Sequence, residues 1–200
     1  MPDSPETWRC FVAVPVPDDL RVGLATALDR WKLERDAPDL RWTDPEGWHV
    51  TLAFLGATDP ATVDDLRRGL ESVTRQFTSP FSPILVRTGP IGAFPRAAAA
   101  QSVWLGIDDP LRQLKDLAYA VQTAILAQEK WRRLRPHLTL GRSRVRRGEP
   151  LESWIATRTF PPTEFPVEDV VLFRSHLGRG PARYEELARL PLGGAGSGRG

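Results

Sequence analysis

The sequence predicts an α+β fold built mainly from antiparallel sheets. Short apolar segments with the length of strands alternate with amphipathic segments with the length of helices, and turn-like stretches rich in Gly, Pro and Asp separate several of them. The order of these elements in the first half of the chain recurs in the second half. We therefore expect two similar halves, and if these pack as lobes about a pseudo-twofold axis, a cleft lies between them.

The predicted elements follow one another in the same order in both halves. In the first half we predict a strand over residues 11–16, a helix over 20–33, strands over 40–43 and 48–55 that pair through a turn at 44–47, and a helix from 59 to about 77. In the second half we predict strands over 84–88 and 103–107, a helix from 108 to about 128, a strand over 137–140, and strands over 167–175 and 183–190 around a turn at 178–181. We expect residues 1–192 to form one bilobal domain and the glycine-rich residues 193–200 to be a disordered tail.

The composition is that of an ordinary globular chain. Hydrophobic residues make up 41% of the 200 residues, enough for a substantial core, and the formal net charge of +2 is too small for a whole-protein attraction to long nucleic acid. No run of about 18 apolar residues occurs, and the first nine residues form a polar, proline-containing segment instead of a charged region followed by an apolar one, so we expect a cytoplasmic protein with no membrane partner. The single cysteine, Cys10, lies in an apolar run and is predicted to be a buried thiol rather than a nucleophile.

Basic residues are concentrated in one segment. Between Lys130 and Arg147 the chain carries several arginines and no acidic residue. Such a segment attracts phosphate, although taken alone it is more typical of a solvated basic loop. Its significance comes from the histidine that it surrounds.

Two of the three histidines occur in nearly identical tetrapeptides, His-Val-Thr-Leu from His49 and His-Leu-Thr-Leu from His137. Because alternate residues of a strand share a face, each histidine projects together with the threonine two positions later, Thr51 or Thr139. The opposite, buried side of the first strand is expected to hold Val50, Leu52 and Phe54. Since the two motifs lie at corresponding points of the two halves, we expect them to meet across the cleft.

Two imidazoles and two hydroxyls around a cleft suit a phosphodiester. One imidazole can take a proton from water while the other donates a proton to the departing ribose oxygen, and the ordinary histidine pKa of about 6.5 suits both tasks. The threonine hydroxyls can hydrogen-bond the non-bridging phosphate oxygens, where nearby arginines also stabilise charge. The arrangement requires no metal or other cofactor, and neither motif has a second ligand at metal-binding spacing. The sequence therefore predicts acid–base catalysis by His49 and His137.

These residues resemble the 2H phosphoesterase superfamily, and within it the RNA 2',3'-cyclic phosphodiesterases, once called 2'-5' RNA ligases. The likeness extends from about Arg9 to Leu192. Besides the two motifs it includes residues 9–13, 41–56, 92–95, 103–106, 135–142, 170–175 and Tyr184. The chain departs from the family pattern at Gly47 and Trp48, where an Asn-Leu pair is frequent.

The resemblance implies a bilobal fold with a central cleft and hydrolysis of an RNA 2',3'-cyclic phosphate end to a 2'-phosphomonoester, with ATP-independent 2'-5' ligation as a further reaction in which a ribose hydroxyl replaces water. It implies that His49 donates a proton to the 3' oxygen and that His137 activates water, directions that the residues alone leave open. Thr51 and Thr139 carry over as phosphate-holding residues. The implied partners are RNA ends or nucleotides with a 2',3'-cyclic phosphate, tRNA fragments among them, and we expect a monomer without a cofactor.

Three further residues are candidates for contact with the substrate. Arg142 would bind phosphate or a base, but strict alternation turns it away from His137, so a bulge or a strand end is needed. Phe11 and Phe94 offer aromatic faces to a nucleobase, although the sequence favours core packing as the use of Phe11. The third histidine, His176, lacks the motif and is expected at the surface. The scattered tryptophans are expected in the core or the cleft walls: Trp42, Trp48, Trp104, Trp131 and Trp154.

Other functions remain open from the sequence. Another 2H enzyme would use the same acid and base on 2'-5' linked oligoadenylates or small cyclic nucleotides. A non-catalytic RNA-binding module would use the arginines around His137, and its activity would survive replacement of both histidines. A histidine-ligated metal enzyme is disfavoured by the ligand spacing.

Overall fold

The computed structural model describes residues 6–77, 83–176 and 182–192. The strands are β1 (Trp8–Pro15), β2 (Leu40–Trp42), β3 (His49–Thr58), β4 (Leu85–Phe94), β5 (Ser102–Asp108), β6 (His137–Ser143), β7 (Glu164–Pro166), β8 (Asp169–His176) and β9 (Arg183–Pro191). The helices are α1 (Asp18–Leu33), α2 (Val63–Phe77), α3 (Gln113–Ile125) and α4 (Glu152–Ala156). The turn predicted at 178–181 and the tail predicted at 193–200 lie outside the described residues.

Most predicted elements are present, with shifted ends. The second helix opens as predicted, because the Asp59 carboxylate accepts a hydrogen bond from the backbone N–H of Ala61 in a short 3₁₀ turn that leads into α2. The third helix ends at Ile125, earlier than predicted, and a separate 3₁₀ turn, Gln128–Lys130, follows. The prediction missed α4 and β7, which at five and three residues are too short to show a hydrophobic period.

All strands of the described residues belong to one sheet, and every pairing is antiparallel. The strand order is β7-β4-β5-β6-β3-β1-β8-β9, and β2 pairs with β6 beside this path. The order divides where β3 meets β6, the two strands that begin with the histidine motifs. We call β1, β3, β8 and β9 lobe 1, and β2, β4, β5, β6 and β7 lobe 2. The predicted α+β fold with mainly antiparallel pairing is confirmed.

One predicted pairing is wrong. In the described part of the chain β2 pairs with β6, where Arg41 lies opposite Arg142, and not with β3. The residues between β2 and β3 form a 3₁₀ turn (Pro45–Gly47) instead of a hairpin loop. The chain therefore passes from lobe 2 to lobe 1 at this turn.

The helices cover one face of the sheet, and a small aromatic cluster occupies the other. α2 and α3 pack against each other, α3 also contacts β3, and α2 contacts β8 and β9. Along β1, Cys10 and Val12 join the main core, whereas Phe11 and Ala13 join the second cluster on the opposite face. Cys10 is buried as predicted, and burial raises the pKa of its thiol. No helix of the described residues has the length and hydropathy needed to cross a membrane.

Candidate active site

The two histidine motifs lie side by side where the lobes join. Val50 of β3 pairs with Leu138 of β6, and both side chains are buried in the main core. Because successive strand residues point to opposite faces, the residues flanking this pair project into the cleft. They are all half-buried: His49, Thr51, His137 and Thr139. Paired strands lie about 5 Å apart, so both imidazoles border the same space.

Each imidazole is held by a hydrogen bond to a backbone carbonyl just before its own strand. Nδ1 of His49 lies 2.7 Å from the carbonyl oxygen of Gly47, and Nδ1 of His137 lies 2.6 Å from that of Arg135. Since a carbonyl oxygen only accepts, Nδ1 is the donor in both rings. This leaves Nε2 of each histidine to exchange a proton with a substrate.

Burial disfavours the protonated form of both rings in the free protein. It lowers the pKa of His49 to about 4; the hydrogen bond to Gly47 opposes this shift, and the positive charges of His137 and Arg142 add to it. Burial also lowers the pKa of His137, with Arg142 acting in the same direction. Both imidazoles are therefore neutral near pH 7 before a ligand binds.

Aromatic rings flank each histidine from its own lobe. In lobe 1 the ring centroid of His49 lies 4.8 Å from that of Phe11 and 5.2 Å from that of Tyr184, which meets it edge-on. In lobe 2 the centroid of His137 lies 5.1 Å from that of Phe94 and 6.2 Å from that of Trp104. These apolar walls explain why burial dominates both pKa shifts.

Glycine at position 92 makes room for the Trp104 ring. A Cβ atom on Gly92 would lie 2.3 Å from Cη2 of Trp104, which no real contact allows. Trp104 is therefore packed directly over the backbone of β4, where it supports both Phe94 and His137.

A β-bulge interrupts the ladder at the leucine of each motif. The partners of Thr51 and Ala53 are consecutive residues of β1, so Leu52 is an extra residue in β3. The same shift occurs between β5 and β6, where Leu140 is the extra residue. Both bulges thus lie three positions after a histidine, and the two lobes share this irregularity as well as the motif.

The carbonyl oxygen of each bulge residue accepts a hydrogen bond from a residue outside the strand against which the bulge forms, which is β1 for Leu52 and β5 for Leu140. The buried Gln122 side chain of α3 donates from Nε2 to the carbonyl of Leu52, at 3.0 Å. The backbone N–H of Thr43 donates to the carbonyl of Leu140, at 2.9 Å. Because unsatisfied buried carbonyls are costly, these two contacts stabilise the bulges.

The bulges decide which way the residue five positions after each histidine points. In β6 the bulge places Arg142 on the same face as His137. A bulge or a strand end was needed for Arg142 to reach a substrate beside His137. In β3 it turns Phe54 onto the face of His49. Phe54 is 70% exposed, and its ring centroid lies 6.5 Å from that of Phe11. The prediction that Phe54 is buried beside Val50 is therefore wrong, because it assumed unbroken alternation.

The other predicted residues lie at different depths. Phe11 is 5% exposed and its ring stacks on Phe173 at 5.2 Å, so it supports His49 from below. Phe94 is half-buried at the edge of the cleft. His176 lies on the surface as predicted, where Nε2 is 2.7 Å from a carboxylate oxygen of Glu185.

Sequence reasoning missed Phe54, Phe173 and Gln122 as parts of this site. The equal spacing of Phe54 and Arg142 from their histidines could have identified the first. No local signal marks Gln122, because it reaches a carbonyl 70 residues earlier in the chain. Within the described ranges, no three side chains of His, Cys, Asp and Glu are grouped to hold a metal ion.

Several known proteins are similar to this chain in sequence or fold. The RNA 2',3'-cyclic phosphodiesterase of Geobacillus stearothermophilus is 29% identical over 195 residues, and the match covers 94% of this chain but 59% of that relative. The protein of the same name from Bacillus subtilis is 28% identical, with coverage of 91% of this chain and 95% of the relative. The crystal structure of E. coli LigT with NADP+ is 25% identical, with a TM-score of 0.66 over 93% of this chain and 98% of that one.

The family assignment rests on the larger part of the chain. The sequence pattern of the 2'-5' RNA ligase superfamily matches residues 17–179, a span that contains both histidine motifs. The chain belongs to the 2'-5' RNA ligase superfamily.

Proposed function

We propose that this protein hydrolyses the 2',3'-cyclic phosphate at the 3' end of an RNA and leaves a 2'-phosphomonoester. The observation that carries the proposal is the pair of imidazoles on neighbouring strands, each fixed through Nδ1 with Nε2 available to a ligand. The names of the relatives from Geobacillus stearothermophilus and Bacillus subtilis indicate the same substrate class.

The reaction needs one proton acceptor and one proton donor on opposite sides of the phosphorus atom. His137 takes a proton from a water molecule through Nε2, and the oxygen of that water attacks phosphorus. The bond from phosphorus to the 3' oxygen breaks, and His49 donates a proton to that oxygen. The products are a 3' hydroxyl and a 2'-phosphomonoester, and the two histidines have exchanged protonation states. When the 5' hydroxyl of a second strand attacks phosphorus in place of water, the same two proton transfers break the bond to the 3' oxygen and join the two strands through a 2'-5' bond.

Thr51, Thr139 and Arg142 hold the phosphate in this scheme. The two threonines lie on the cleft face beside the histidines, and their hydroxyls donate to the non-bridging oxygens. Arg142 contributes a fixed positive charge close enough to lower the pKa of both histidines. Preorganised donors of this kind stabilise the charge that builds on phosphate in the transition state.

The acid role of His49 requires that the substrate raise its pKa. With a pKa of about 4 in the free protein, His49 carries no proton on Nε2 at neutral pH. A phosphate anion beside the ring favours the protonated form, so binding shifts the pKa upward and the site takes up a proton. Substrate binding and protonation of His49 are therefore coupled.

Substrate profiling tests the proposal. We expect turnover of a short RNA that ends in a 2',3'-cyclic phosphate, and no turnover of the same RNA with a 3'-phosphate end. A preference for 2'-5' linked oligoadenylate would assign the site to a different phosphodiester. Binding of RNA without any turnover would indicate that the protein is a non-catalytic RNA-binding module.

A further inference from the structure

A row of paired residues extends from the cleft across four strands of lobe 2. Phe94 of β4 pairs with Ser102 of β5. Ser102 also pairs with Arg142 of β6, which pairs in turn with Arg41 of β2. Because directly opposed residues of an antiparallel sheet point to the same face, these side chains border one surface. They line a groove of about 440 Å³ together with Gln101 and the loop that follows β6.

This groove begins at the active site. Arg142 belongs to its lining and also acts on the pKa of His49 and His137. Phe94 is shared in the same way, since its ring meets His137 edge-on at 5.1 Å. A chain molecule held by its end at the two histidines would therefore continue over this row.

The side chains that line the groove carry a net positive charge. Its lining includes Arg41, Arg142 and Arg146 and no acidic residue. Among the described residues none of these three arginines forms an ion pair, whereas the neighbouring Arg144 is paired with Asp39 at 3.1 Å. Arg41 and Arg146 are both exposed, so their guanidinium groups are available to an anion.

The loop that carries Arg146 is anchored to lobe 2. Glu149, which follows Arg146 in this loop, exchanges two backbone hydrogen bonds with Ala100, of 2.8 and 3.1 Å. The Ser143 hydroxyl donates to the Glu149 carboxylate at 2.6 Å, and the Gln101 amide donates to the carbonyl oxygen of Arg146 at 3.4 Å. These bonds hold the backbone at Arg146 beside the strands that carry Arg41 and Arg142.

We propose that this groove binds the nucleotides that precede the cyclic phosphate in a single-stranded RNA, with Arg41 and Arg146 contacting their backbone phosphates. The inference rests on the proposed function, because that function places the cyclic phosphate at the histidines. A 2',3'-cyclic phosphate terminates the 3' end, so any further nucleotides extend from its 5' side. Those nucleotides must leave the cleft along a surface that accepts phosphate, and this groove begins where the phosphate is held.

An unpaired strand fits the groove better than a duplex. A positively charged channel with an aromatic wall is the usual form of a site for single strands, where bases stack on rings and arginines follow the backbone. Phe94 supplies such a wall, and Arg41 and Arg146 supply the charge. The groove therefore makes the enzyme prefer oligonucleotide ends over mononucleotides.

Two substrates separate the groove from the catalytic centre. The double variant Arg41→Ala/Arg146→Ala is compared with the unmodified protein on a short single-stranded RNA ending in a 2',3'-cyclic phosphate and on adenosine 2',3'-cyclic phosphate. We expect the variant to raise KM for the RNA by about tenfold or more, as loss of charge-assisted contacts typically does, with kcat unchanged. Turnover of the mononucleotide should be unaffected. The dependence of RNA affinity on log salt should flatten by about 0.7 for each arginine removed.

Arg75→Ala serves as the matched control, because Arg75 is an exposed arginine on α2, a helix that packs against α3, β8 and β9. The proposal is overturned if Arg75→Ala weakens RNA turnover as much as the double variant, or if the double variant changes neither substrate. It is also overturned if both substrates lose turnover equally, since the groove would then hold the terminal nucleotide. Failure of the unmodified protein to hydrolyse either substrate would instead contradict the proposed function.

Discussion

Val50 and Leu138 lie directly opposite each other and form the single residue pair through which β3 and β6 join in the described part of the chain. Both side chains are fully buried, so the contact between the lobes is also part of the core. Because each residue is preceded by a motif histidine, this pairing brings His49 and His137 to one cleft. The architecture of the core therefore determines the spacing of the two histidines.

Loss of either histidine should abolish most of the activity. We expect His49→Ala and His137→Ala each to lower the rate on RNA ending in a 2',3'-cyclic phosphate by about 10²- to 10⁴-fold, the usual contribution of one general acid or base. EDTA should leave the rate of the unmodified protein unchanged. His176→Ala is the control, because this histidine lies on the surface beside Glu185, and it should retain normal turnover. Normal turnover by either motif variant would refute acid–base catalysis by the pair.

Binding of a phosphate anion should raise the pKa of His49. In the free protein the ring should titrate near pH 4, since burial disfavours its charged form. With saturating 2'-AMP the midpoint should move upward, because the negative charge of the ligand favours the protonated ring. The measurement is an NMR titration of the imidazole signals with and without ligand. An unchanged or lowered midpoint would show that His49 does not receive its proton through substrate binding.

Gln122 should matter for stability although it lies outside the cleft. Replacement by Leu keeps its size but removes its hydrogen bonds to the bulge carbonyl of Leu52 and to the backbone of Arg132, so we expect a loss of about 1–3 kcal/mol in the free energy of unfolding. Denaturant unfolding measures this loss. The control is Gln76→Leu on the exposed face of α2, where a change within about 0.5 kcal/mol is expected. Equal effects of the two substitutions would mean that the contact to Leu52 does not stabilise the bulge.

Truncation of Leu52 should lower the free energy of unfolding much more than truncation of Phe54. Leu52 is 2% exposed, so Leu52→Ala should lower the free energy of unfolding by about 2–5 kcal/mol. Phe54→Ala should cost less than about 1 kcal/mol, because the ring already lies largely in solvent. Thermal or denaturant unfolding distinguishes the two. A large cost at position 54 would place this ring in the core and argue against the bulge in β3.

The sequence was sufficient for the features that depend on local pattern. Alternation of apolar and polar residues located β3 and β6, and the repeated tetrapeptide identified His49 and His137 as a related pair. The Asp-Pro pair at the start of the second helix identified its beginning for a local reason, since the side chain of Asp59 binds a backbone N–H two residues later. These signals act over a few residues, which is why a linear reading detects them.

Features that depend on distant partners were not predictable in the same way. Leu40 and Trp42 have the pattern of a strand, but their pairing with β6 instead of β3 is decided by contacts about a hundred residues away along the chain. The bulge at Leu52 likewise depends on β1 and on Gln122 of α3. Alternation alone therefore placed Phe54 on the wrong face, whereas for Arg142 the sequence left a bulge and a strand end as alternatives, and the structure has the bulge at Leu140.

The most direct test of the account is the chemical identity of the product formed in ¹⁸O-labelled water. Mass analysis of an RNA that initially ends in a 2',3'-cyclic phosphate should reveal one product, a 2'-phosphomonoester carrying a single labelled oxygen on phosphorus. A 3'-phosphomonoester would mean that the leaving oxygen is not the one assigned to His49. An RNA recovered unchanged, with no label, would contradict hydrolysis at the paired histidines altogether.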